Sequence, residues 1–333
     1  EGGYNAGLST GTGGGTLMTI KLGYLLPTRE RIMEGEHEVA PMLTLAEQAE
    51  GMGFDSVWVG DSLLARPRHE PLTLLAGLAG RVGRVELGTA VLLPALRNPV
   101  LLAHQAATVD QISEGRLILG VGIAGDVPNI RAEFAAAGVT FEKRVGRMME
   151  GLRLCRALWS GEPVNWDGRW PVEQGVLAPT PYRPGGPPIW GGGSHPDGLA
   201  RAGKTMDGWF PTGPDAATWS DHWGQVQAAA IDAGRDPSDV TAAIYLTLCI
   251  DDDAVSADAR INAYLEQYYG APAKILRRRQ ACYAGSARGA AEWINGYINA
   301  GARHVILRFA GDHEHHMKAI MEIRGDLEVN PAG

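Results

Sequence analysis

Cysteine is scarce. Only Cys155, Cys249 and Cys282 occur in 333 residues, far apart and without a CxxC pair, so neither a disulfide framework nor a thiolate metal site is signalled. That sparseness predicts a reducing, cytoplasmic setting. Positive charge is also short. The 30 Lys and Arg stand against 38 Asp and Glu, a net of −8, which leaves no general attraction for a nucleic-acid backbone or an anionic membrane surface. No apolar run approaches the roughly 18 residues needed to cross a bilayer. With hydrophobic residues at 45%, there is still enough apolar mass for a large core.

Glycine is in excess instead, at 45 residues, about twice its usual share. Part of it lies in Glu1 to Leu17, a Gly-, Ser- and Thr-rich opening that reads as a flexible extension ahead of Met18. The rest is expected at the ends of apolar runs, in loops. From Met18 to about residue 330 the pattern reads as one domain. Strands are expected at Ile20 to Leu26, Ser56 to Val59, Glu86 to Leu92, Arg116 to Val121, Pro188 to Trp190, Asp207 to Phe210, Thr241 to Ile250 and His304 to Phe309. Helical spacing separates them. Met42, Ala46 and Ala49 share one helix face, Leu102, Ala106 and Val109 another, and Val145 to Trp159 forms a third stretch that stops at Gly161. Asn98 as cap and Pro99 in the first turn set the start of the second of these. Pro163 to Pro188 holds seven prolines and reads as an irregular insertion. Eight nearly continuous apolar strands with helices between them predict a parallel sheet buried on both faces. A closed TIM-type (β/α)8 barrel with an insertion between the fourth helix and fifth strand fits, the other candidate being an open doubly wound sheet.

In such a barrel the chemistry gathers at the C-terminal ends of the strands. Asp61 and Ser62 follow the second strand directly. Asp61 reads either as a helix cap or as a site carboxylate, and Asp61→Asn is expected to change stability little. Gly120-Val121-Gly122-Ile123-Ala124-Gly125 spells the dinucleotide fingerprint, yet Asp126, Val127 and Pro128 follow where a helix should open, and the strand is the fourth rather than the first. Those glycines are expected to let a ligand or a loop lie close. Ile189 and Trp190 run into Gly191, Gly192, Gly193, Ser194 and His195, with a helical segment from Asp197. Successive amides at a helix start, with the Ser194 hydroxyl, suit a phosphate. His313, His315 and His316 lack a partner ligand at metal spacing and read as a solvated helix start, so no metal is expected. Arg277, Arg278 and Arg279 read as a solvated face.

Four blocks in this order carry a resemblance: Phe54-Asp55-Ser56-Val57-Trp58-Val59-Gly60-Asp61; Leu87-Gly88-Thr89-Ala90-Val91-Leu92-Leu93-Pro94 continuing to Arg97-Asn98-Pro99; Asp110-Gln111-Ile112-Ser113-Glu114-Gly115-Arg116; and Pro188-Ile189-Trp190-Gly191-Gly192-Gly193 followed by Asp207-Gly208-Trp209-Phe210. From about Ile20 to Leu327 the sequence resembles the luciferase-like monooxygenase family of flavin- and deazaflavin-dependent barrel enzymes, most of all its members that bind the deazaflavin coenzyme F-420. The resemblance implies a flavin-type ring at the strand ends, with its phosphate at Gly192, Gly193 and Ser194. It also implies Asp61 against the ring, and a bulge at Ala90 and Val91, joined by a cis peptide, behind it. Gly122 and His195 belong to the same expected cofactor site. Two departures stand out. Ser62 occupies the place of the histidine base of sugar- and alcohol-oxidising members, and Gly125 the place of an acidic residue in the sugar dehydrogenases. A hydroxyl is a poor base near neutrality unless activated, so sugar or simple alcohol oxidation is demoted. The expected function is hydride transfer between F-420 and a small organic substrate, with Asp61 and Ser62 as candidate catalytic residues and a homodimer as the expected form. The alternatives are an FMN-dependent monooxygenase using reduced flavin and oxygen, and a non-catalytic flavin-binding barrel.

Overall fold

The computed structural model describes residues 20–327, so the expected extension at 1–17 lies outside the described residues. In chain order the strands are β1 (Lys21–Leu25), β2 (Ser56–Val59), β3 (Glu86–Thr89), β4 (Leu117–Val121), β5 (Val164–Trp166), β6 (Val172–Gly175), β7 (Ile189–Gly191), β8 (Gly208–Trp209), β9 (Thr241–Ile250), β10 (Cys282–Gly285) and β11 (His304–Phe309). Eight of them form a closed parallel ring, β1-β2-β3-β4-β7-β8-β9-β11, sealed where Gly208 of β8 pairs with Thr241 of β9 and where β11 pairs with β1. An open doubly wound sheet would leave two free edges, so that candidate is excluded. β10 is an additional parallel strand against the far half of β9, Cys282 opposite Thr247. It is four residues long and half-buried, too short for an apolar run to announce it.

The expected irregular insertion is partly ordered. Within it β5 and β6 make an antiparallel hairpin between the helix Arg144–Leu158 and β7, and Ala178–Pro179 is cis. A helix also opens at Pro128, the position where the sequence was expected to lack one. It runs Pro128–Ala136 with proline in its first turn, where the missing N–H costs nothing.

Glycine does more than make loops. Gly23, Gly88, Gly120 and Gly208 sit inside strands, against expectation, because large rings fill the barrel interior beside them. A Cβ at Gly88 would lie 2.1 Å from the Trp58 ring, one at Gly120 2.4 Å from Phe210, and one at Gly208 2.7 Å from Trp190. Trp58, Trp190 and Phe210 have centroids 5.4 to 5.9 Å apart and pack with Leu25, Ile118 and Ile306. The interior is therefore a packed core, and its rings make a floor beneath the C-terminal strand ends. Below them Trp58 Nε1 donates to Ser56 Oγ at 2.7 Å, and the same hydroxyl is hydrogen-bonded to His304 Nε2, also at 2.7 Å. Burial, with Lys21 acting in the same direction, pushes the His304 imidazole down to about 3.

Candidate functional site

β2 delivers Asp61 to the floor of a recess. Its carboxylate is buried, Oδ2 accepts from the Leu93 amide at 2.8 Å, and Arg97 forks across both oxygens, Nη2 reaching Oδ1 at 3.0 Å. Asp61 caps no helix, which overturns the capping alternative. It clamps the segment after β3 to the end of β2. Burial alone would lower the Arg97 guanidinium, but the adjacent Asp61 carboxylate outweighs it and holds the group above its ordinary value. Ser62 is fixed as well: its Oγ donates to Glu133 Oε1 at 2.8 Å and accepts from the Arg66 amide at 2.9 Å. The same Glu133 oxygen takes the Leu63 and Leu64 amides.

β3 ends at Thr89, three residues before the expected Leu92, because the chain leaves the ladder at Ala90 and Val91. The peptide joining them is cis. Leu92 then rejoins the sheet, its amide donating to Gly120 O at 2.7 Å while Gly122 N donates to Leu92 O at 2.9 Å. Ala90 and Val91 pack on the rings of the barrel interior. Gly122 makes room for this bulge, since a Cβ there would lie 2.5 Å from Val91 Cγ2. A close-lying loop is thus the reason for that glycine.

The turn after β7 presents bare backbone. Gly193 has φ +99° and nothing within 4 Å of where a side chain would begin, so only glycine suits its conformation and its face is open. Among the described residues no main-chain carbonyl accepts from the amides of Gly193, Ser194 or His195. The turn is held from behind, by Trp209 Nε1 donating to Gly193 O at 2.9 Å and Ser194 Oγ donating to Gly213 O at 3.3 Å. His195 caps the helix Pro196–Thr205, Nδ1 accepting from the Asp197 amide at 3.3 Å. A cavity of about 80 Å³ behind the turn is lined by His195, Gly198 and Arg201, whose guanidinium the sequence reading did not single out.

Asp61, Ser62, Ala90, Val91, Gly122, Gly192 and Gly193 all face one cavity of about 390 Å³ over the strand ends. Ser194 and His195 lie just beyond, on the same turn. The sequence reading missed Glu133, Arg308, Tyr245 and Tyr269 of this wall. Elsewhere it erred on the histidines. His313 Nδ1 meets the Tyr24 hydroxyl at 2.8 Å and His316, fully buried, reaches Ala310 O at 3.2 Å, so two of the three pack inward against Phe309 rather than into solvent. Arg277, on the expected solvated face, pairs there with the half-buried Asp258.

A family model described as luciferase-like monooxygenase matches residues 20–327. The chain belongs to the luciferase-like monooxygenase family. The 5,10-methylenetetrahydromethanopterin reductase of Methanolobus tindarius is 32% identical over 234 residues, which is 70% of this chain and 69% of that protein. The F-420-dependent glucose-6-phosphate dehydrogenase of Kineococcus radiotolerans is 29% identical over 325 residues, 89% of this chain and 93% of that protein. Among solved structures, an F-420-dependent secondary alcohol dehydrogenase in complex with an F-420–acetone adduct matches with a TM-score of 0.79 at 21% identity, over 93% of this chain and 100% of that one, which bears on the fold. In this luciferase-like chain the run from Gly198 to Lys204 and Thr205 also spells a phosphate-loop pattern, GLARAGKT. It is helical there, and a Cβ at Gly203 would lie 2.2 Å from Val226 O, so its glycine serves helix packing.

Proposed function

We propose that the protein is an F-420-dependent oxidoreductase that moves hydride to or from a small organic substrate, working as a cytoplasmic homodimer with one barrel domain from Met18 to about residue 330. The observation that carries this reading is the open turn after β7, where the unclaimed amides of Gly193, Ser194 and His195 follow one another and Gly193 lines the same cavity as Ala90 and Val91. Those amides and Arg201 fit a phosphate, and about 390 Å³ accommodates a ring system of drug size. Three unpaired cysteines agree with a reducing compartment.

When bound, the deazaflavin supplies a carbon that gives and takes two electrons as hydride. The protein's part is placement. Gly192, Gly193 and Ser194 hold the phosphate, with Gly122 and His195 beside them, and Ala90 and Val91 brace the ring from the barrel side. Asp61 fixes that bulge through the Leu93 amide and Arg97 and closes the floor under the ring. Ser62 Oγ, tied to the Glu133 carboxylate, is a cavity hydroxyl beside Asp61 able to hold or pass a proton. Ser62→Ala is expected to slow substrate turnover about 100-fold with F-420 affinity unchanged.

Absorption titration of the protein with F-420 tests the placement. Gly193→Val should weaken binding at least tenfold, about 1.4 kcal/mol, whereas an unchanged titration would remove the phosphate from this turn.

A further inference from the structure

One wall of the cavity carries charge that the cofactor reading leaves unused. Arg308, near the end of β11, is 1% exposed, and every partner it has is neutral. Nε and Nη2 donate to Thr247 Oγ1 at 3.1 and 2.8 Å, Nη2 donates also to Gln280 Oε1 at 2.6 Å, and Nη1 donates to the Tyr269 hydroxyl at 2.7 Å. A guanidinium has five N–H groups, so one on Nη1 is left over, on a side chain that lines the cavity. The rings of Tyr245, Tyr264, Tyr268 and Tyr269 surround the cation at 5.1 to 5.5 Å. They offset part of the cost of burying it without neutralising it.

Two more guanidinia stand on the same wall. Arg66 lies 4.9 Å over the Tyr269 ring and Arg68 5.9 Å over that of Tyr268, and both line the cavity. Gly60 fixes the second, since a Cβ there would lie 1.9 Å from Arg68 Nη1. Among the described residues Arg66, Arg68 and Arg308 form no ion pair with a carboxylate. The nearby acids are already engaged: Asp61 by Arg97, Glu133 by Ser62 and the Leu63 and Leu64 amides, and Glu30 by the Tyr264 hydroxyl. A buried cation with neutral partners and a spare donor facing a cavity is completed by an anion.

From this geometry we infer that the substrate carries a carboxylate or phosphate group, held by Arg308 Nη1 with Arg66 and Arg68, while its reacting part lies toward Ala90 and Val91. The inference rests on reading the cavity as a cofactor site. The glycine turn after β7 and this wall, built from β9, β11, the helix Ala254–Tyr269 and the segment after β2, are separate features, so either assignment can fail alone.

Inorganic phosphate is the probe. It is titrated calorimetrically into protein saturated with F-420, at constant ionic strength with chloride as the balancing anion. Saturable binding, weakened at least tenfold by Arg308→Met, is expected. The double variant Arg66→Gln with Arg68→Gln, at half-buried positions, should weaken it at least threefold and covers the case in which Arg308→Met does not fold. Absorption titration should show F-420 affinity within twofold of wild type in each variant. No saturable phosphate binding to the loaded wild type, or equal binding in the variants, overturns the inference. Weakened F-420 binding in the variants, with no phosphate bound by the loaded protein, gives the wall to the cofactor's acidic tail and overturns it too. Arg308-dependent phosphate binding by a protein that takes no F-420 supports the anion site and locates the failure in the cofactor reading.

Discussion

Asp61 is a residue whose place was legible and whose role was not. It follows an apolar strand of four residues, so its position at a strand end can be read directly. Its partner Arg97 stands 36 residues further on, past another strand, and nothing local announces the pair. The consequence reverses an expectation. Asp61→Asn keeps a capping group but leaves the buried Arg97 with only the more exposed Glu70 carboxylate, 3.2 Å away, so it should lower stability by about 2 kcal/mol, read as a reduced urea midpoint. A midpoint equal to wild type would mean that the pair carries no net stabilisation. Arg308 was harder still. It lies in the strand sequence His304-Val305-Ile306-Leu307-Arg308-Phe309, and the tyrosines around it come from two other places in the chain, β9 and the helix Ala254–Tyr269, so only the closed barrel assembles them.

Elements announced by local chemistry were read well. The helix Pro99–Ile112 begins as expected, with Asn98 Oδ1 accepting from Val100 N at 2.9 Å, and Asn98→Ala should cost about 1 kcal/mol, again measured by urea titration. An unchanged midpoint would show that the packing of Pro99 and Leu102 alone holds that end. Elements that depend on distant partners were read poorly. The β5–β6 hairpin is masked by prolines on either side, and its ladder is invisible to periodicity. The in-strand glycines fall within the expected strands, but why glycine stands there is set by the ring opposite: Gly88 and Trp58 lie on neighbouring strands. The stop of β3 at Thr89 is of the same kind, being set by the bulge and by Gly122 across from it.

At the scale of the molecule, the eight-strand count was legible because each parallel strand is buried on both faces and so reads as a continuous apolar run. Closure also buries histidines, and this makes the whole fold acid-sensitive. Burial pushes His304 down to about 3 and His316 down to about 4. In the unfolded chain both titrate near 6.5. Below that pH the unfolded state takes up protons that the native state refuses, so stability is full above about 6.5 and declines as pH falls, by about 3 kcal/mol for each group at pH 4. Urea midpoints measured from pH 7 to pH 5 should fall steadily, and a flat profile over that interval would mean that neither imidazole is held neutral.

The function turns on which ring the cavity over the strand ends accepts. Parallel absorption titrations of the wild-type protein with F-420 and with FMN decide it. Saturable, single-site binding of F-420, at least 100-fold tighter than FMN, is the predicted result. Tighter binding of FMN, or no binding of F-420, would contradict the deazaflavin assignment.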